Sequence, residues 1–328
     1  MQDRLLLTGA TGFIGNRLYD PLVRAGWHVR CLTRNVDTAR ARWPQREWIG
    51  GDVHQFESLL PALDGCKTAC YFVHGMSDLR PGWVERELRA AEVFARAAAK
   101  AELERIVYLG GVAPSGSPSD HLRSRLETGA VLRSGSVPCL ELRAAMIIGT
   151  GSASWTIVRD LAARLPVMVL PAWLSHRSEP VAIDDVVAAL LRATELPLAQ
   201  ADLWDLPGPE ALSGCEILTR VAAVLHRRPL MLRVPLMSPH LSSRWIQLVT
   251  RAEYHLAAEL VEGLKSDLLA RRPGFWSFVG LPPPMDIDHA ARRALATEGR
   301  ELSRRSRVVE RLAGAVSRKS RAHRRGST

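Results

Sequence analysis

The chain is poor in cysteine, with five in 328 residues, odd in number and scattered. Cys66 to Cys70 is neither a metal nor a redox spacing, so a disulfide framework and a cysteine-based metal site are both excluded. Reduced, buried thiols in a cytoplasmic protein are expected, and no metal site is. Long apolar runs are also missing. The best candidate span, Trp155–Leu174, is broken by Arg159, Asp160, Arg164 and two prolines, whereas a spanning helix needs about 18 apolar residues or more. No signal peptide is expected, because a strand opens at Leu5 and leads straight into a glycine loop. There is no internal repeat.

The chain is 47% apolar and 24% charged, which places it among globular proteins and excludes wholesale disorder. Its net charge of +10 is concentrated at one end. Residues 300–328 hold ten Lys/Arg against two acids, so the body is close to neutral. In that tail Leu302, Val309, Leu312 and Val316 recur at roughly helical spacing among the arginines. Three roles stay open: a solubilising tail without a dedicated partner, contact with an anionic membrane surface, or non-specific attraction to nucleic acid. No nucleic-acid-binding motif is present, so specific recognition is not expected.

Short apolar runs alternate with helical stretches over the first half. Strands are predicted at Leu5–Thr8, Val29–Thr33, Glu47–Ile49, Ala69–Val73, Arg105–Leu109 and Cys139–Leu142. Helices are predicted at Ile14–Ala25, up to Arg42, at Leu59–Leu63, Trp83–Ala101 and Leu122–Arg133. Such alternation requires crossover connections, hence a parallel sheet covered on both faces. After Gly149 the rhythm loosens. Helices are expected over Thr156–Leu165, Asp185–Glu195, Cys215–Leu225, Ser242–Thr250 and Ala252–Leu269, with strands at Val167–Leu170, Val181–Ile183, Leu203–Leu206 and Leu230–Val234. The Pro282–Pro284 run ends the compact part or marks an exposed turn.

Between the first strand and the first helix stands Thr8-Gly9-Ala10-Thr11-Gly12-Phe13-Ile14-Gly15. Gly9 permits a tight turn, Gly12 lets backbone approach a pyrophosphate, and Gly15 lets the helix close on the strand. The phosphates then meet the N–H groups of Thr11 to Ile14 at a helix N-terminus. A dinucleotide site specific for NAD carries an acid at the end of the second strand, but here Thr33-Arg34-Asn35 stands there, with Arg40 beyond. A guanidinium fits a 2′-phosphate with paired hydrogen bonds, so NADP(H) is expected over NAD(H) through Arg34.

The Gly-x-x-Gly-x-x-Gly spacing of this loop resembles that of the extended and atypical short-chain dehydrogenases/reductases. The resemblance places Asp52, beside Val53, by the adenine ring, with a turn aspartate as the other reading. His74 and Gly75 end the fourth strand, where backbone passes beneath the cofactor, and His74 either faces the nicotinamide or is packed. Gly110 ends the fifth strand at the cofactor. The resemblance extends through Tyr108-Leu-Gly-Gly, His121-Leu-Arg-Ser-Arg-Leu-Glu, Leu142-Arg-Ala-Ala-Met-Ile-Ile-Gly-Thr-Gly-Ser, Glu179-Pro-Val-Ala-Ile-Asp-Asp-Val-Val, Asp205-Leu-Pro-Gly-Pro-Glu and Leu241-Ser-Ser-Arg-Trp-Ile-Gln-Leu-Val-Thr. Over Leu5 to about Leu269 the chain is thus similar to a branch allied to the NmrA-like regulators and to the accessory Rossmann subunit of respiratory complex I. That branch mixes reductases, redox sensors and structural subunits.

The resemblance implies a serine after the fifth strand and a Tyr-x-x-x-Lys on the next helix, yet Gly110, His121 and Arg125 occupy those places. His121 is either the acid/base, with Arg125 gripping the ribose, or a remnant in a site that binds cofactor without general-acid chemistry. Arg125 can orient and stabilise charge but cannot relay a proton. Ser119 reads as a helix N-cap, as do Asp184 and Asp185. Arg143 is either near the cofactor or in a buried salt bridge. Trp155, Trp173, Trp245 and Trp276 either line an apolar substrate pocket or sit in the core.

The expected fold is therefore α/β, a Rossmann doubly wound parallel sheet with a small C-terminal substrate-side subdomain. Residues 1–150 would form the NAD(P)-binding domain, 151–295 substrate-side segments completing the fold, and 296–328 a flexible basic tail. The favoured function is NADP(H)-dependent reduction of an apolar carbonyl or quinone-like substrate. The alternative is a non-catalytic NAD(P)H-binding redox sensor or complex-assembly protein, peripheral to a membrane through its tail.

Overall fold

The computed structural model describes residues 3–74, 81–197, 199–234 and 265–301. Seven strands form one parallel sheet: β1 (Arg4–Leu7), β2 (His28–Thr33), β3 (Glu47–Gly50), β4 (Cys66–Tyr71), β5 (Arg105–Gly111), β6 (Cys139–Ala144) and β11 (Asp202–Asp205). Their spatial order is β11-β6-β5-β4-β1-β2-β3. The order reverses beside β1, where an open α/β sheet leaves a crevice outside its strand ends. The crossovers are α1 (Phe13–Arg24), α2 (Val36–Arg42), α3 (Phe56–Leu63), α4 (Trp83–Lys100) and α5 (Asp120–Ser134).

The two faces of the sheet can be read from single residues, because side chains alternate along a strand. Leu5, Leu7, Cys70, Val107 and Leu109 point into one core with Leu18 and Leu22 of α1 and with Val186, Ala189 and Leu190. The intervening Leu6, Ala69, Tyr71, Ile106 and Tyr108 point into the other, with Leu59 of α3, Phe94 of α4 and Leu132 of α5. Both faces are buried, which is why these strands read as apolar runs. Cys31, Cys66, Cys70 and Cys139 are buried free thiols, and burial raises each of them, Cys31 to about 12 and Cys66 to about 11.

The second half builds short pairs around a third core. β7 (Ile147–Ile148) and β10 (Val181–Ala182) pair, as do β8 (Val167–Pro171) with β13 (Leu230–Val234) and β9 (Arg177–Ser178) with β12 (Leu212–Ser213). α6 (Ala153–Arg164), α8 (Gly214–Val224) and α10 (Ile287–Glu301) bury Trp155, Ile217, Val221 and Ala291 together, while α7 (Ile183–Glu195) covers the main sheet. A short helix, α9 (Phe275–Phe278), escaped sequence reading.

For the proline run and the tryptophans, the structure selects between the readings that the sequence leaves open. The Pro282–Pro284 run does not end the ordered chain, because α10 follows it and continues past residue 296. The Trp155 indole donates to Glu298 at 2.9 Å, and Arg159 pairs with the same carboxylate, so this helix is fastened into the core. The tryptophans do not gather around one pocket: Trp155 and Trp173 belong to the third core and Trp276 to the first. Trp245, the helix expected at Ser242–Thr250, most of that at Ala252–Leu269, and tail residues 302–328 lie outside the described residues.

Candidate functional site

The glycine loop is clamped between β1 and β4. Thr8 donates its hydroxyl to the Cys70 carbonyl at 3.1 Å and accepts the Phe72 N–H at 2.9 Å. Gly9 has φ +62, and a Cβ there would collide with the Phe72 carbonyl, so only glycine fits. A Cβ at Gly15 would strike the Gly9 carbonyl. Gly12 donates to Gly9 O at 2.9 Å and is the N-cap of α1, where no side chain caps the first turn. That leaves backbone donors at the helix start for an anion. Thr11 is exposed, while Phe13 and Ile14 are half-buried. Gly149 and Gly151 lie against the Phe13 ring, and Arg17 donates to Thr150 O at 3.2 Å, which seats the Ile-Ile-Gly-Thr-Gly segment beside the loop.

At the end of β2, Arg34 and Arg40 are exposed, and neither has an ion pair among the described residues. Asn35 caps α2 by accepting the Thr38 N–H at 3.0 Å, which holds this corner in shape. Asp52 accepts the His54 N–H at 3.0 Å in a turn, and Val53 is buried. Sequence reading missed Arg46. Its guanidinium lies 4.1 Å from the Tyr19 ring centroid, donates to Ala10 O at 3.3 Å and to Asn16 Oδ1 at 2.8 Å, and so braces the glycine loop from below. Its partners come from distant segments, and nothing in its local sequence sets it apart from other arginines.

Beyond the end of β4 and at the start of α5 lies a cationic bridge. Arg125 donates Nε–H to His121 Nε2 at 3.1 Å and Nη1–H to His74 Nε2 at 3.1 Å. A guanidinium has no acceptor, so both Nε2 atoms receive, and each neutral imidazole carries its proton on Nδ1. Burial, and then the guanidinium charge, hold His121 down to about 3 and His74 well below its ordinary value. Two unit charges about 4 Å apart repel by about 4 kcal/mol at an effective dielectric of about 20, which opposes any imidazolium here. Tyr108 donates its hydroxyl to the Arg125 carbonyl at 3.0 Å, and Ser124 donates to Glu87. Ser119 accepts the Leu122 N–H as the α5 N-cap, as its sequence position suggests. Gly75 lies outside the described residues.

Gly110 leaves no room for a serine, because a Cβ there would stand 2.7 Å from Glu141 Oε1. Glu141 is fully buried and pairs with Arg133 and Arg143, both at 2.7 Å, so Arg143 belongs to a buried ion pair. A strap of residues 265–272 crosses the same edge. Asp205 accepts the backbone N–H groups of Arg271 at 2.7 Å and Arg272 at 2.8 Å, Glu179 accepts that of Ala270 at 2.6 Å, and Arg271 donates to Pro114 O at 2.7 Å. Asp184 and Asp185 do not cap α7. They fasten the C-terminal segment, through Arg293 at 3.0 Å and the Met285 N–H at 2.8 Å. Among the described residues, no group of three His, Cys, Asp or Glu is placed to hold a metal, and no helix is long and apolar enough to cross a membrane.

Comparison with known proteins agrees with this geometry. Residues 9–162 match the family described as NAD(P)H-binding. The chain is 27% identical to the ceramide reductase of Caulobacter vibrioides over 236 residues, 70% of this chain and 73% of that one. It is 32% identical to the photosystem II assembly factor Ycf39 of Cyanophora paradoxa over 112 residues, about a third of each chain. Its fold matches the triphenylmethane reductase of a Citrobacter species, solved with NADP(H), at TM-score 0.70 and 17% identity, over 89% of this chain and 99% of that one. The Rossmann sheet, its uncapped glycine loop and the match over residues 9–162 together show that this part of the chain is an NAD(P)H-binding domain.

Proposed function

We propose that the chain is an NADP(H)-dependent oxidoreductase acting on an apolar carbonyl or quinone-like acceptor. The observation that carries this reading is the Arg125 bridge, which holds two imidazoles together beyond the end of β4 and at the start of α5. Gly9, Thr11, Gly12, Phe13, Ile14 and Gly15 receive the pyrophosphate. Arg34 pairs with the 2′-phosphate, with Arg40 near it, while Asp52 and Val53 border the adenine. A bound nicotinamide supplies one hydride, which is two electrons and one proton nucleus. His121 holds the acceptor oxygen by a hydrogen bond, and Arg125 orients His121 and His74. The ceramide reductase and triphenylmethane reductase likenesses support reductase chemistry.

A second reading is favoured by the missing Ser-Tyr-Lys set and by the likeness to an assembly factor: the chain binds the cofactor to sense redox state or to help build a complex. The deciding experiment is NADPH oxidation with a panel of quinones and ketones, on the wild type and on His121→Ala. Turnover that falls with His121→Ala supports the reductase. Tight NADPH binding without turnover on any acceptor supports the second reading.

A further inference from the structure

A groove of about 690 Å³ runs along α4 beside the turn that leads into α3, a volume within the range of small-molecule sites. His54, Arg86, Arg89, Glu92, Val93 and Arg96 line it. These side chains bring three guanidiniums and an imidazole against one carboxylate. Arg86, Arg89, Val93 and Arg96 stand at i, i+3, i+7 and i+10, so they form one stripe down the helix. At 1.5 Å per residue that stripe is about 15 Å long.

The cations are held by contacts that leave their charge in place. Arg86 donates to the Pro81 carbonyl at 2.9 Å, and Arg89 donates Nε–H to the Glu85 carbonyl at 3.4 Å. Arg96 lies 5.8 Å from the Phe56 ring centroid, at the first residue of α3. Arg89 and Arg96 are exposed, and neither is ion-paired among the described residues, although Glu92 stands three residues from one and four from the other. A guanidinium carries five N–H donors, so both keep donors for a ligand.

Guanidinium forks match the paired oxygens of phosphate and carboxylate, which makes the occupant an anion. A lone phosphate ion would meet one point of a stripe about 15 Å long; several phosphoryl groups on one molecule would meet more of it. The groove neighbours the nucleotide site without coinciding with it. Its upper end is His54, whose N–H is accepted by Asp52 at 3.0 Å in the turn assigned above to the adenine. α4 is a crossover helix between parallel strands, so its stripe starts on the crevice side of the sheet and leads away from it.

We propose that this groove is a second anion site, separate from the glycine loop, for a soluble small molecule that carries two or more phosphoryl groups, with Arg89 and Arg96 as its binding residues. The proposal goes beyond the reductase reading and does not depend on it.

The test is calorimetric titration of the full chain with inorganic tripolyphosphate at low ionic strength, on the wild type and on Arg89→Gln/Arg96→Gln. One-to-one binding is expected for the wild type, weakening as salt is added. The double substitution is expected to weaken it at least about tenfold. Both positions are exposed, and an unchanged thermal melt verifies that the variant folds. The basic residues of 300–328 are the same in both proteins, so binding to them would persist in the variant. With NADPH at saturation, tripolyphosphate is expected to bind with the same stoichiometry.

No binding by the wild type, or binding that survives the double substitution, overturns the proposal. Displacement by NADPH overturns it as well, by making the groove part of the cofactor site. A hexaglutamate peptide that binds tighter than tripolyphosphate and is lost in the same variant would make the groove a docking surface for an acidic protein instead. Tripolyphosphate binding in a chain that does not take NADPH would remove the cofactor reading and leave this one standing.

Discussion

Arg125 donates to His121 across one turn of α5, Nε to Nε2 at 3.1 Å, at the spacing where the resemblance read from the sequence implies lysine and tyrosine. The substitution inverts the chemistry of the pair. A lysine lowers the pKa of a neighbouring tyrosine so that it can give up a proton, whereas here burial, and then the guanidinium charge, hold the neighbouring imidazole neutral. The pair binds and orients, and its chemistry follows from that.

Acid stability should report the same bridge. His74 and His121 are depressed in the folded chain, so in moderately acid solution the unfolded chain binds more protons than the folded one. Their contribution is complete above the ordinary histidine value and is lost as pH falls from there toward about 3. Each such proton steepens the pH dependence by about 1.4 kcal/mol per pH unit. His121→Gln is expected to flatten the slope of urea-unfolding stability between pH 6 and pH 4. An unchanged slope would mean that the imidazole titrates freely in the folded state.

Restoring a serine at position 110 should not restore a catalytic set. Its Cβ would stand 2.7 Å from Glu141 Oε1, in a buried ion-pair network with nowhere to yield. Gly110→Ser is expected to cost about 1–3 kcal/mol of stability, the range for overpacking, and to add no turnover. A thermal melt and an NADPH oxidation assay check both halves.

The helix α10 is fastened by Glu298, which takes the Trp155 indole N–H and the Arg159 guanidinium in a buried setting. Removing one partner of a buried pair strands the other, at a cost of about 3–5 kcal/mol. Glu298→Ala is expected to lower the melting temperature by several degrees or more, with NADPH affinity retained. A loss of NADPH affinity in the folded variant would show that this end of the chain reaches the nucleotide site.

Arg46 is buried and braces the glycine loop, whereas Arg34 is exposed. Arg46→Met is expected to weaken NADPH and NADH equally, about tenfold, because it loosens the loop that both share. A selective loss of NADPH would instead make it a phosphate ligand. Titrations of the two nucleotides on that one variant distinguish these outcomes.

How much of this was legible beforehand depends on the range of each interaction. The strands show in their periodicity and the glycine loop in its spacing, both local patterns, and His121 and Arg125 are singled out by the spacing that the resemblance implies. Ser119 announces its cap because capping acts over three residues. The part of Arg46 is set by Ala10, Asn16 and Tyr19, more than twenty residues away, and no window of sequence contains it. The same holds for Asp205, whose carboxylate holds a strap 66 and 67 residues later in the chain. Asp184 and Asp185 sat in the right place for capping, but their side chains reach across to Arg293 and Met285 instead. The tryptophans left two readings open, because scattered large apolar residues do not say which core they enter, and Trp155, Trp173 and Trp276 sit in cores.

The most direct test of the central claim is calorimetric titration of NADPH and NADH on the wild type and on Arg34→Ala. Arg34 is exposed at the end of β2, and a charge-assisted contact with the 2′-phosphate is worth about 1.5–3 kcal/mol, or roughly ten- to a hundredfold in affinity. NADPH should bind tighter by that factor, and Arg34→Ala should bring the two nucleotides to the same affinity. Equal binding by the wild type, or a preference for NADPH that survives the substitution, would contradict the account.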